Sequence, residues 1–176
     1  HPELVDVVHK DDLPERPILE AKGIVSPDWG KPDPTRIRAP FSLGRVACHL
    51  SHLSALRMFL ADPTASRVLV FEDDLVSTID RTRLEICLHR NKERIEKYDV
   101  FYLGSIWRNC SADDDIDGIT DIKEQILGRH AICFNRRGAQ IVLERTLPMV
   151  RPGDQMISEL ISSGVLHGGA ITEPIF

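Results

Sequence analysis

The 176-residue chain has no apolar run near the roughly 20 residues of a membrane span. A membrane-crossing helix is therefore not expected. It has no basic excess: 22 Lys and Arg face 27 Asp and Glu, a formal net charge of −5. A general nucleic-acid binder normally carries a positive balance, so nucleic acid is not an expected partner. None of its four cysteines sits in a Cys-x-x-Cys pair, which argues against a zinc ribbon. Cys48, Cys87 and Cys133 lie among apolar neighbours and read as reduced core residues. The first twelve residues are polar, with no signal-peptide pattern. There are no internal repeats and no low-complexity tract. A length of 176 residues fits one domain with a substantial core.

The most informative stretch present is Val68-Leu69-Val70-Phe71-Glu72-Asp73-Asp74. An unbroken apolar run of this length suits a strand covered on both faces, as in a parallel sheet. Carboxylates are costly to bury unpaired, so the strand should surface at Glu72. In open α/β sheets the carboxyl ends of strands are where ligands bind. Adjacent carboxylates repel, and a divalent cation relieves the repulsion; hard oxygen donors suit Mn²⁺ or Mg²⁺. A strand followed by an acidic surface turn is the plainer alternative.

Around this stretch the chain reads as alternating strands and helices. Seven prolines punctuate residues 1 to 42, which read as a long loop with a short strand at Leu4–Val8. Ser42 is a plausible N-cap for a helix carrying Leu43, Val46, Leu50, Leu53, Leu56 and Leu60 on one face, ended by Asp62-Pro63. Residues 80 to 97 read as helix, 99 to 103 as strand with Gly104 at its carboxyl end, 130 to 134 as strand, and 136 to 147 as helix. Pro152-Gly153-Asp154 opens a further helix that Gly164 ends, and Val165-Leu166-His167 starts a last strand. This order predicts an α/β layered fold. The acidic run at 113–117 reads as solvated surface, and Asn109-Cys110-Ser111 is a weak match to a glycosylation acceptor.

Gly44 to His52 with its Cys48-x-x-Ser51-His52 core, the Glu72-Asp73-Asp74 strand end, the Gly138-Ala139 helix start and Pro152-x-Asp154 occur in that order. In this the chain resembles glycosyltransferase family 25, which includes lipooligosaccharide and collagen galactosyltransferases. The resemblance covers roughly residues 40 to 176. Arg45 stands where the family usually has Glu, and the family's opening strand with its Asn-Leu and Arg pattern is not found in this chain.

The resemblance implies a GT-A-like fold with a mainly parallel sheet, and inverting transfer of a hexose, galactose for example, from a UDP-sugar donor. The acceptor would be a hydroxyl of a glycan or a hydroxylated protein, and the cofactor Mn²⁺ or Mg²⁺. Glu72 and Asp74, two apart on a strand, would share a side and hold the metal, with Asp73 turned toward ribose or sugar hydroxyls. Ser51, His52 and Gly104 would contact substrate, His167 is a further metal-ligand candidate by analogy, and Asp154 a candidate general base. Two of these have a structural counterpart: His52 as a tie between helix and loop, Asp154 as a helix cap. A non-catalytic binding domain with the same fold is the rival reading. A metal-dependent phosphohydrolase ranks last, since no Asp-x-Asp-x-Thr segment is present.

Overall fold

The computed structural model describes residues 5–31, 39–77, 80–105, 107–108, 118–123 and 125–171. After a single 3-10 turn at Lys10–Asp12 come α1 (Arg16–Ala21), α2 (Leu43–Ala61), β1 (Arg67–Phe71), α3 (Arg81–Arg90), α4 (Lys92–Ile95) and β2 (Val100–Gly104). Then follow β3 (Trp107–Arg108), β4 (Ile119–Asp121), β5 (Ile126–Leu127), β6 (Ala131–Asn135), α5 (Arg136–Arg145), α6 (Gly153–Ser162) and β7 (Gly168–Ile171). The expected α/β layering is present. The acidic run at 113–117 and the tripeptide 109–111 lie outside the described residues. Among the described residues no helix is long and apolar enough to cross a membrane.

The sheet corrects one expectation. It is mixed, with five strands in the order β1-β6-β2-β7-β4, and a two-stranded ribbon pairs β3 with β5. Only β2 and β7 run parallel; β1–β6, β2–β6 and β4–β7 are antiparallel. It is therefore not mainly parallel, and Val68–Phe71 is not its central strand. β1 stands at the end of the order, with β6 as its one partner strand among the described residues. The side-chain alternation corrects the expectation that both faces are covered. Val68 and Val70 pack toward the main core, whereas Leu69 and Phe71 are 36 % and 45 % exposed. The apolar run is covered on one face only. β2, buried along its whole length, holds a central place instead.

Two apolar layers clasp this sheet. On one face Leu53, Leu56 and Phe59 of α2, Ala139 and Val142 of α5, and Ile157 and Ile161 of α6 meet Val100, Tyr102, Ile132, Phe134 and Ala170. On the other, Ile95, Tyr98, Leu84 and Leu88 cover Phe101, Leu103, Ala131 and Ile171. α2 begins as expected: the Ser42 hydroxyl accepts from the Arg45 amide at 3.4 Å. Leu50, Leu53, Leu56 and Leu60 all reach the main core.

The amino-terminal region departs from the expected long loop. Residues 5–9 form no strand; the Val8 amide instead donates to Ser51 Oγ at 2.9 Å. α1 was hidden by Pro17, which sits in the helix's first turn, where a missing amide costs nothing. Leu19 from α1 joins Val25 and Trp29 in a third cluster against Val46, Met149 and Met156.

The ends of β2, β6 and β7 farthest from Glu72 are locked by polar groups. Asn135 Oδ1 caps α5 by accepting from the Gly138 amide at 2.7 Å, and Asn135 Nδ2 donates to Tyr98 O and Asp99 Oδ1. Asp99 Oδ2 also accepts from Arg137 and from the His167 amide. Gly138 is required here because a Cβ would stand 2.3 Å from the Asp99 carbonyl oxygen. Gly138→Ala is expected to destabilise the fold by about 1–3 kcal/mol, the usual scale of overpacking. Urea unfolding checks this, and an unchanged midpoint would contradict the close approach.

Candidate functional site

The register brings three chain segments to one end of the sheet. Phe71 and Gly104 both stand opposite Ala131, one on each side of β6. The Glu72 amide donates to His130 O at 2.9 Å, so Glu72 continues the ladder one residue past β1 before the chain turns away. α2 lies beside this end. Its residues Cys48 and His52 are one helical turn apart and share a face.

Cys48, His52 and Glu72 meet there. His52 Nε2 lies 3.3 Å from Glu72 Oε1, and the Cys48 thiol donates to the same oxygen at 3.7 Å. One ligand-type atom from each residue lies within 4.8 Å of the others, so the group could hold a metal ion. Glu72 is a carboxylate acceptor, which puts the His52 proton on Nε2. His52 Nδ1 is then a lone-pair acceptor, buried without a partner. Burial holds the His52 pKa down to about 4, with Arg129 adding to the effect and Glu72 opposing it. The His52 hydrogen bond, ahead of Arg129 and Cys48, lowers the Glu72 pKa against the cost of partial burial.

Behind this group runs a directed chain of hydrogen bonds. Arg129, 4 % exposed, donates Nη1 to His49 Nδ1 at 3.0 Å and Nη2 to Cys48 Sγ at 3.5 Å. A guanidinium only donates, so His49 carries its proton on Nε2 and passes it toward Thr146 Oγ1 at 2.9 Å. Thr146 in turn donates to Val142 O at 2.7 Å. Burial and the Arg129 charge keep His49 neutral, with its pKa well below the usual imidazole value. Gly153 closes the back wall: a Cβ there would lie 2.2 Å from His49 Nδ1 and 2.8 Å from Arg129 Nη1.

The sequence-derived candidates fall into three groups. Glu72, His52 and Gly104 lie at this end of the sheet. Asp154 follows Gly153 in the first turn of α6, and it acts with Arg129 on the buried Tyr102 hydroxyl, with opposite sign. Both Asp154 oxygens accept from backbone amides, Oδ1 from Gln155 at 2.9 Å and Oδ2 from Gly128 at 3.1 Å. Pro152, not Asp154, occupies the N-cap position.

Asp73 and Asp74 are exposed in a turn, because the strand ends at Phe71. The alternation that would align Asp74 with Glu72 does not extend that far. The structure joins Glu72 to Cys48 and His52 instead of to Asp74. Ser51 is engaged within the scaffold, donating to Ala47 O at 3.0 Å and accepting from Val8. His167 lies at the opposite end of the sheet. It precedes β7 beside Val100, its ring lies tilted against Tyr98 with centroids 4.7 Å apart, and its Nδ1 approaches Lys97 O at 3.1 Å. It is not brought together with Glu72.

Two contributors went unassigned in the sequence. Cys48 was expected in the core and is exposed; Cys133 is half-buried, and Cys87 lies in α3. The signal for Cys48 was available, since Cys-x-x-x-His puts both side chains on one helical face. Arg129 had none, because nothing in the run Gly128-Arg129-His130 marks that arginine as buried. No protein-family model matches the chain, and no curated protein matches it.

The site makes stability depend on pH. His52 has a folded pKa of about 4, below its unfolded value of about 6.5. Its neutral form therefore supports the fold fully above pH 6.5, and that support is lost as pH falls toward 4, by about 3 kcal/mol at ~1.4 kcal/mol per unit. His52→Gln keeps a donor for Glu72 and removes this titration. Urea unfolding in chelator should show a steeper fall from pH 6.5 to 4 for wild type than for His52→Gln. Parallel slopes would exclude His52 as the source.

Proposed function

We propose that the chain is a glycosyltransferase domain of the family-25 type with a GT-A-like arrangement, binding a UDP-sugar at the carboxyl ends of β1 and β2. Hexose transfer to an acceptor hydroxyl follows by a single displacement. The observation that carries this reading is convergence. The acidic turn 72–74, Gly104, the buried Arg129 and the first turn of α6 with Asp154 come from separate parts of the chain and gather at one sheet end. Asp154 would accept the acceptor's proton, and its carboxylate is held by two backbone amides. Arg129 keeps the back of the site positive without being exposed.

A divalent cation supplies charge neutralisation for a departing diphosphate when it is bound. Mn²⁺ or Mg²⁺ calls for several oxygen donors, which here means Glu72 together with the exposed Asp73 and Asp74. The donors actually clustered at Glu72 are a thiol and an imidazole, a poor match to a hard ion. The chain's own residues therefore support donor binding better than they support a preformed Mn²⁺ cage.

The rival reading, a binding domain without transfer, draws on one specific observation. Both oxygens of Asp154 are already used to brace Gly128 and the α6 entrance. Calorimetry with UDP and Mn²⁺ on wild type and Asp74→Asn tests the donor site: binding that needs both ligands and weakens in the variant is expected, and equal affinities would remove Asp74. A donor-turnover assay with Asp154→Asn tests the base. If transfer is real, turnover should fall by about 10²-fold or more, with nucleotide binding retained. Full activity in that variant would end the claim for Asp154, and binding without any turnover in wild type would favour the rival.

A further inference from the structure

Among the described residues, one group of metal-ligand side chains is not used as such by the transferase reading. We propose that Cys48 Sγ, His52 Nε2 and Glu72 Oε1 form a three-ligand site for a borderline divalent ion of the Zn²⁺ type, with solvent completing a tetrahedron. The argument begins with distance. A tetrahedral zinc ion with bonds of about 2.3 Å to sulfur and about 2.05 Å to nitrogen and oxygen sets its ligands apart by about 3.6 Å for S···O and about 3.3 Å for N···O. The corresponding separations here are 3.7 Å and 3.3 Å. Glu72 Oε1 thus already stands at ligand spacing from both of its partners, and all three ligand atoms lie within 4.8 Å of one another.

Chemistry and placement agree with distance. Thiolate, imidazole and carboxylate together select zinc over Mg²⁺ or Mn²⁺. Two ligands are one turn apart on α2, whose burial fixes them, and the third is held by the ladder contact of Glu72 with His130. Cys48 is exposed, which leaves an entry path for the ion.

Binding requires two proton movements. The Cys48 thiol releases its proton to solvent, and the His52 proton passes from Nε2 to Nδ1, which has the lone pair to take it. Arg129, already donating to Cys48 Sγ, stabilises the thiolate from behind. Two protein anions, Cys48 and Glu72, then face the dication. One proton is released per ion, so affinity rises with pH.

This inference stands apart from sugar transfer, because its test contains no nucleotide and no sugar. Purified, reduced protein is titrated with Zn²⁺ against a chromophoric chelator, and separately with Co²⁺ as a spectroscopic probe. One equivalent should bind, and the Co²⁺ form should show intense tetrahedral d–d bands with a sulfur-to-cobalt charge-transfer band. Cys48→Ser, at an exposed position, should abolish that band. It should weaken Zn²⁺ by more than the about 10–100-fold typical of losing a mere supporting contact. Glu72→Gln should weaken it similarly, while Cys133→Ser should leave Zn²⁺ binding unchanged. Circular dichroism confirms that each variant is folded, and Cys48→Ser decides the question if Glu72→Gln is not. Equal Zn²⁺ affinity in wild type and Cys48→Ser, or a weak six-coordinate Co²⁺ spectrum without the sulfur band, would overturn the proposal.

Discussion

A buried guanidinium governs one end of this fold. Taking the Arg129 charge out of water costs several kcal/mol unless the surroundings answer it. The surroundings do so with three elements. α2 offers His49 Nδ1 and Cys48 Sγ as acceptors, and α6 brings Gly153, with no side chain to intrude. Glu72, just beyond β1, supplies negative charge that feels Arg129 directly. Burial is the first cause that depresses His49 and His52, and the same cation adds to it; at Cys48 it opposes the rise that partial desolvation causes. Neutral imidazoles and a half-buried carboxylate around one fixed positive charge are thus a single electrostatic arrangement.

Local pattern carried the sequence reading as far as local pattern goes. The α2 helix was legible from its leucine spacing and the Ser42 cap, both properties of adjacent turns. The strand at Val68–Phe71 was legible as a strand, but its rank in the sheet was not. An apolar run looks alike whether both faces are covered or one, and only the elements packed on those faces decide. The main core covers Val68 and Val70, and Leu69 and Phe71 on the other face are exposed. α1 escaped notice because proline counts against a helix everywhere except its first turn, where Pro17 happens to stand.

At the site the same limit recurs. Glu72 was recognised because an acid ending an apolar strand must surface. Asp74 was paired with it on an alternation that required the strand to persist three residues further than it does. Cys48 and His52 carried a readable one-turn spacing, yet apolar neighbours in the sequence suggested a buried thiol. In a helix those neighbours belong to another face. Arg129 could be found only in three dimensions, since its burial depends on α2 and α6 folding over it.

The two ends of the sheet differ in how well their polar groups are satisfied, and this separates scaffold from site. At the far end Asp99 uses both oxygens on Asn135, Arg137 and the His167 amide, and His167 belongs to that lock. Arg67 does leave one buried donor unmatched there, and Arg151 another near α6, but each is a five-donor group with other donors engaged. At the Glu72 end the unmatched atoms are His52 Nδ1 and the Tyr102 hydroxyl. For Tyr102 that hydroxyl is the side chain's entire polar complement, and burial pushes its pKa upward. Buried polar groups are nearly always paired, so these two atoms set this end of the sheet apart from the other. The far end ties β2, β6, β7 and α5 together through Asp99 and Asn135. At the Glu72 end Arg129 and its acceptors join α2 to the segment before β6, and the side chains around them are left with fewer partners.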